Sequence, residues 1–119
     1  MFDPDLFPQL EGPITFELDS GVKLHKEAPD TFYLPPEEER TTLRVGDLCK
    51  LIFRMTDGEK VAVERMWVIV QKIKPEYYVG ALDNQPYCTE EIGIGFKVEF
   101  HADHVIQVMR MGLSTAPNE

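Results

Sequence analysis

Apolar and polar residues alternate in two short stretches of this chain, ITFEL at 14–18 and FKVEF at 96–100. Successive side chains of a strand point to opposite faces, so each pattern predicts a half-buried strand. In the second, Phe96, Val98 and Phe100 share one side. Residues 63–73, VERMWVIVQKI, read differently. Five apolar residues run from Met66 to Val70 and include the only tryptophan, Trp67. Such a run predicts a strand covered on both faces.

Turn signals divide the rest. DSG after Leu18, followed by VKLH, suggests a hairpin with a three-residue loop. It would set Leu18 opposite Val22, Glu17 opposite Lys23 and Phe16 opposite Leu24. TDG at 56–58 separates DLCKLIFR from the long run beginning at Lys60. A two-residue turn at Asp57-Gly58 would bring Lys50 against Arg65. A three-residue loop would instead pair Lys50 with Glu64, Leu51 with Val63 and Phe53 with Val61. Like charges directly opposite are unfavourable, so the second register is preferred. It puts Trp67 on the face of Leu51, Phe53, Val61 and Val63. Arg65 falls on the same face and is expected either near a barrel mouth or paired with a carboxylate, Asp47 or Asp83, because a lone buried charge is costly. Met66, Val68 and Val70 then need cover. Either the segment around Phe2, Leu6, Phe7 and Leu10 supplies it, or a second copy does, as a homodimer.

After KPEY come the strand YYVGALD, an irregular connection at 84–95, FKVEF, the turn HADH and a closing strand VIQVMR. One helix is expected over 35–46, PPEEERTTLRVG. Pro36 suits its first position, Glu37, Glu38 and Glu39 suit the positive end of its dipole, and Gly46 can end it. DPDLF at 3–7 could form one helical turn. The fold class predicted is mainly β (α+β with one short helix), a small antiparallel barrel or strongly curved sheet. The whole chain, 1–119, reads as a single domain, with 1–28 as an N-terminal extension or hairpin and 111–119 as a flexible tail.

Charge narrows the partners. Twenty-one acidic and 12 basic residues give −9. That disfavours nucleic acid, whose phosphates require a basic patch, and favours a basic protein partner steered by charge. No apolar run is long enough to span a bilayer, and MFDPDLFPQL lacks the basic and apolar regions of a secretory signal. Cys49 and Cys88 do not make a disulfide framework. The expected compartment is the cytoplasm, with no cofactor.

Candidate chemistry is sparse. Arg65 and Trp67 could line a shallow ligand or peptide pocket. In DNQPY, Asn84, Gln85 and Tyr87 offer recognition groups on a turn stiffened by Pro86. His101, Asp103 and His104 carry donors suited to zinc, although neighbouring strand residues would point apart. Cys88 with these histidines could be a thiol nucleophile, but Glu90 and Glu91 beside it would raise its pKa. GIGF is a lone Gly-x-Gly without a phosphate-loop context. The leading expectation is a non-enzymatic, acidic, protein-binding module. The alternative is a small-molecule or metal-binding domain built on Arg65, Trp67 and the 101–104 turn.

From residue 29 onward the chain resembles the YegJ-like domains, small bacterial proteins of unknown function. The stretches that carry the likeness are PDTFYLPPEEERTTLRVGDLCKLIF, ERMWVIV, YVGALDNQPY and VEFHADHVIQV. They hold Gly46-Asp47 before a strand, the tryptophan strand at Trp67, a Gly-x-Leu-x-Asn-x-Pro segment from Gly80 to Pro86, the apolar strand Phe96–Phe100 and a closing Ile106. GIGF stands where the family often has Gly-Asp. The resemblance implies an immunity or accessory role in bacterial conflict systems, and no defined activity.

Overall fold

The computed structural model describes residues 14–57, 59–87 and 92–110. The expected helical turn at 3–7, the cover from Phe2, Leu6, Phe7 and Leu10, Cys88, and the tail at 111–119 lie outside them.

The protein is mainly antiparallel β. Strands β1 (Ile14–Leu18), β2 (Leu48–Asp57), β3 (Lys60–Ile73), β4 (Tyr78–Leu82) and β5 (Lys97–Phe100) pair in chain order. The last strand, β6 (Gln107–Met109), returns to β2. β1 occupies β2 along 53–57 and β6 occupies it along 48–50, so one edge of β2 serves two strands in series. The sheet curls into a half-barrel. Where its ends approach, the Phe16 and Phe96 rings meet edge-on at 5.9 Å between centroids. Among the described residues no helix is long and apolar enough to cross a membrane.

The β2–β3 register differs from both predicted ones. Asp57 pairs with Lys60, Leu51 with Met66 and Lys50 with Trp67. Relative to the preferred register, β3 is displaced by three residues, and an odd displacement turns every side chain to the other face. Met66, Val68 and Val70 therefore join Cys49, Leu51, Phe53 and Met55 in the core, each at most 3 % exposed. Trp67 lies on the outer face and is half-buried, while Val61 and Val63 are exposed. Burial decides this. Placing three large apolar side chains inside is worth several times a single cross-strand charge pair at roughly 0.2–1 kcal/mol. The face that was left for a second copy is filled by the chain's own core.

The hairpin expected after Leu18 is replaced by a helix, α1 (Gly21–Glu27). Ser20 caps it, its Oγ accepting from the Lys23 N–H at 3.1 Å, and His25 and Lys26 sit in the last turn, where the dipole favours cations. β1 finds its partner far away instead, with Leu18 opposite Phe53. The helix expected at 35–46 starts as predicted but makes one turn only, α2 (Glu37–Arg40). The Thr41 and Thr42 hydroxyls donate back to the Glu37 and Glu38 carbonyls and close it. Gly46, at φ 97°, serves the following turn, in which the Asp47 N–H reaches the Arg44 carbonyl at 2.9 Å.

Two polar clusters fasten α2 to the barrel. Arg40 is buried and donates to the Pro35 and Ala102 carbonyls at 2.9 and 3.2 Å. The Tyr78 hydroxyl donates to the Arg40 carbonyl at 3.0 Å and accepts from the Leu43 N–H at 3.4 Å, while its ring stacks on Phe100. At Gly80 the strands crowd. A Cβ there would stand 2.4 Å from Val68 Cγ1 and 2.7 Å from the Ile69 carbonyl oxygen.

Candidate functional site

The outer face of β2 and β3 carries two cations that rest on aromatic rings. Lys50 and Trp67 are cross-strand partners, and the lysine Nζ stands 4.8 Å from the indole centroid. Arg65 lies two residues earlier on the same face, its guanidinium carbon 5.5 Å from the Phe32 ring centroid. Between them opens a cleft of about 420 Å³, bordered by Phe32, Tyr33, Ile106 and Gln107. Tyr33 is 69 % exposed, so its ring is open to a ligand.

Phe32 reaches this position through the end of α1. The Phe32 N–H donates to the Ala28 carbonyl at 2.9 Å, and His25 Nδ1 donates to the Phe32 carbonyl at 2.6 Å. Helix, histidine and loop together set the ring against β3.

The two cations of the cleft rest on aromatic rings rather than on carboxylates. Three arginines elsewhere meet carboxylates: Arg54 with Asp19 at 2.8 Å, Arg40 with Asp103 at 3.6 Å and Arg110 with Asp47 at 3.1 Å. Among the described residues neither Lys50 nor Arg65 has a carboxylate within 4.0 Å. The ion pair expected between Arg65 and Asp47 or Asp83 does not form, because Asp47 is taken by Arg110 and Arg65 lies over Phe32. A ring face attracts a cation and leaves its other donors available to an incoming anion.

Of the residues predicted for binding, Arg65 and Trp67 are brought together here. Asn84 is close by in a supporting role: its Oδ1 accepts the Trp67 N–H at 2.5 Å, while the Asp83 N–H donates to the Trp67 carbonyl at 2.8 Å. The asparagine thus completes the β3 ladder where β4 has ended. Gln85 Nε2 donates to the Ile92 carbonyl at 3.1 Å and ties down the loop. The Tyr87 N–H points at both carboxylate oxygens of Glu64, at 2.9 and 3.0 Å, and its ring is 99 % exposed. Glu64, opposite Phe53 rather than Lys50, anchors this loop from inside the curl.

The 101–104 segment forms a single 3-10 turn, Ala102–His104. His101 Nδ1 accepts from the Asp103 N–H at 3.2 Å, and His104 Nδ1 accepts from the His101 N–H at 2.9 Å. Burial pushes the His104 pKa down to about 4, helped by His101 and opposed by Asp103 and Asp19. The ring is therefore neutral at pH 7, as an accepting Nδ1 requires. Among the described residues no three His, Cys, Asp or Glu side chains are placed to hold a metal ion. His101, Asp103 and His104 serve the turn. Cys49 is fully buried, and its thiol is pushed well above its usual pKa by burial and, secondarily, by Asp47.

The sequence reading missed Lys50, Phe32, Tyr33 and Gln107. Lys50 interrupts the apolar run CKLIF, and Phe32-Tyr33 is an aromatic pair before two prolines. Nothing local joins Tyr33, Lys50, Arg65 and Gln107, which lie 15 or more positions apart.

No family model, curated protein or solved structure matches the chain.

Proposed function

We propose that this chain is a non-enzymatic binding module that docks an acidic segment of a protein partner at the Lys50–Arg65 cleft. The observation that carries the reading is the pair of ring-supported cations without carboxylate partners, in a chain whose net charge is −9. Net charge by itself suggested a basic partner; the cations of the cleft favour an acidic one. The surrounding negative charge opposes long polyanions such as nucleic acid and leaves short acidic segments that contact only the cleft. Aromatic and cationic side chains together are typical of recognition surfaces. An immunity or accessory role, of the kind the sequence resemblance implies, would be one such docking function.

A second reading takes a small organic carboxylate as the ligand, since a cleft of about 420 Å³ lies within the usual size of small-molecule sites. One titration separates the two. A fluorescein-labelled peptide with an Asp-Glu pair beside a phenylalanine should bind the wild-type chain, more weakly as salt rises. It should lose roughly tenfold or more in affinity with Lys50→Gln/Arg65→Gln. Benzoate at millimolar concentration should not displace it. Displacement by benzoate would favour the small-molecule reading. Binding unaffected by the double substitution would overturn the site.

A further inference from the structure

The cationic cleft does not end at Arg65. The strand registers lay out the outer face in rows. Gln107, Lys50 and Trp67 form one row, with Asp83 continuing it past the end of β4. Met109, Leu48, Ile69, Ala81 and Lys97 form the next. Val79, opposite Lys72 on one side and Glu99 on the other, belongs to the third. The middle of this surface is apolar and partly open: Trp67, Ile69 and Leu48 are half-buried, and Met109 is 44 % exposed. At its far side Lys72, Lys74 and Lys97, with Tyr77, Val79, Gln71 and one carboxylate, Glu99, surround a second cleft of about 410 Å³, three cations to one anion. Among the described residues no ion pair joins any of these three lysines to a carboxylate, and Lys97 donates to Gln71.

Cations thus stand at both ends of an apolar strip. Asp83 borders the strip beside Trp67 and would repel a carboxylate placed there, while Glu99 stands in the second cleft among its three lysines. Seven residues separate Arg65 from Lys72 along β3, roughly 20 Å at about 3.3 Å per residue. A ligand that meets both ends therefore needs negative charge at its two ends, apolar character between them, and six or seven extended residues of length.

We propose that the Lys50–Arg65 and Lys72–Lys97 clefts are the two ends of one docking track, whose occupant is an extended partner segment with acidic residues at both ends and apolar residues between. This rests on the reading of the first cleft as an acidic-segment site and adds the length and spacing of what it takes. Long nucleic acid would place charge against Asp83 and Glu99 as well as against the lysines, and is disfavoured.

Three labelled peptides test it: a short probe with one acidic pair, and two probes of equal composition, a long one with pairs six residues apart about a leucine–phenylalanine centre and a bunched one with both pairs adjacent. The full chain should bind the long probe roughly 3- to 30-fold tighter than the other two, as expected for additional exposed charge pairs. Lys72→Gln/Lys97→Gln should reduce the long probe to short-probe affinity and leave the short probe unchanged. Lys50→Gln/Arg65→Gln should weaken all three. Equal binding of long and bunched probes, or a long probe indifferent to the Lys72/Lys97 substitutions, would overturn the track and leave the first cleft standing. No binding of any probe to the wild-type chain, or short-probe binding that survives Lys50→Gln/Arg65→Gln, would overturn both. Thermal melts of the variants should stay cooperative and within a few degrees of wild type, since only cation–ring contacts and one surface hydrogen bond are lost.

Discussion

The carboxylate of Asp47 is fully buried and is met by the guanidinium of Arg110 at 3.1 Å, across 63 residues of chain. Asp47 Oδ2 also accepts the Arg44 N–H at 2.9 Å. Arg110 spreads its remaining donors over the Thr42 carbonyl, the Thr42 hydroxyl and the Glu39 carbonyl. One side chain beyond the last strand thus holds the end of α2 and the start of β2 together.

Removing Arg110 leaves a buried carboxylate short of its counter-charge. Arg110→Ala should destabilise by about 3 kcal/mol, in the range for breaking one side of a buried pair. Arg110→Lys should recover part of it, because an ammonium meets the carboxylate but cannot span the three other acceptors. Urea unfolding curves measure both.

His104 makes stability depend on pH. Burial lowers its pKa to about 4 in the folded chain, against 6.5 for an exposed histidine. Between these values the unfolded chain binds more protons, so stability falls as pH drops from 6.5 to 4 and this contribution is flat below. A shift of this size corresponds to roughly 3 kcal/mol at most, less for the ring's remaining contact with water. His104→Asn keeps an acceptor for the His101 N–H and does not titrate. Wild type should therefore lose stability relative to the variant as pH falls from 6.5 to 4, as unfolding free energies measured across that window would show.

Gly80 has no room for a side chain. Gly80→Ala should cost roughly 1–3 kcal/mol by overpacking against Val68 and the Ile69 carbonyl. A shift in urea midpoint with unchanged slope would show it.

The Trp67 N–H loses its acceptor in Asn84→Ala. The expected cost is about 1 kcal/mol, with a changed emission spectrum from the only tryptophan. Asn84→Asp retains an acceptor oxygen and should restore most of the stability.

Cys49 should resist iodoacetamide in the folded protein and react only on unfolding, because both burial and Asp47 disfavour its thiolate. Mass spectrometry along a urea series follows the modification directly.

Much of this was written locally. ITFEL and FKVEF became β1 and β5, KPEY and HADH became turns, and the three glutamates opened α2, because alternation, proline and helix-end charge act over a few neighbouring residues. Arg65 and Trp67 could be singled out for the same reason: a cation and an indole interrupt an otherwise plain strand. What they face could not be read. The pairing of β2 with β3 depends on which apolar set the curled sheet encloses, and that is settled by Tyr78, Val98 and Phe100 arriving from later strands. The same closure sent β1 to β2 rather than into a hairpin and left Ser20 to cap a helix. Short-range charge pairing is weak beside the burial of a strand face. The sequence by itself therefore determined where most of the strands lie, although VKLH, expected as a strand, is helix. Only the tertiary structure decided which face of VERMWVIVQKI is core, placed Lys50 over Trp67, and turned Arg65 outward onto Phe32.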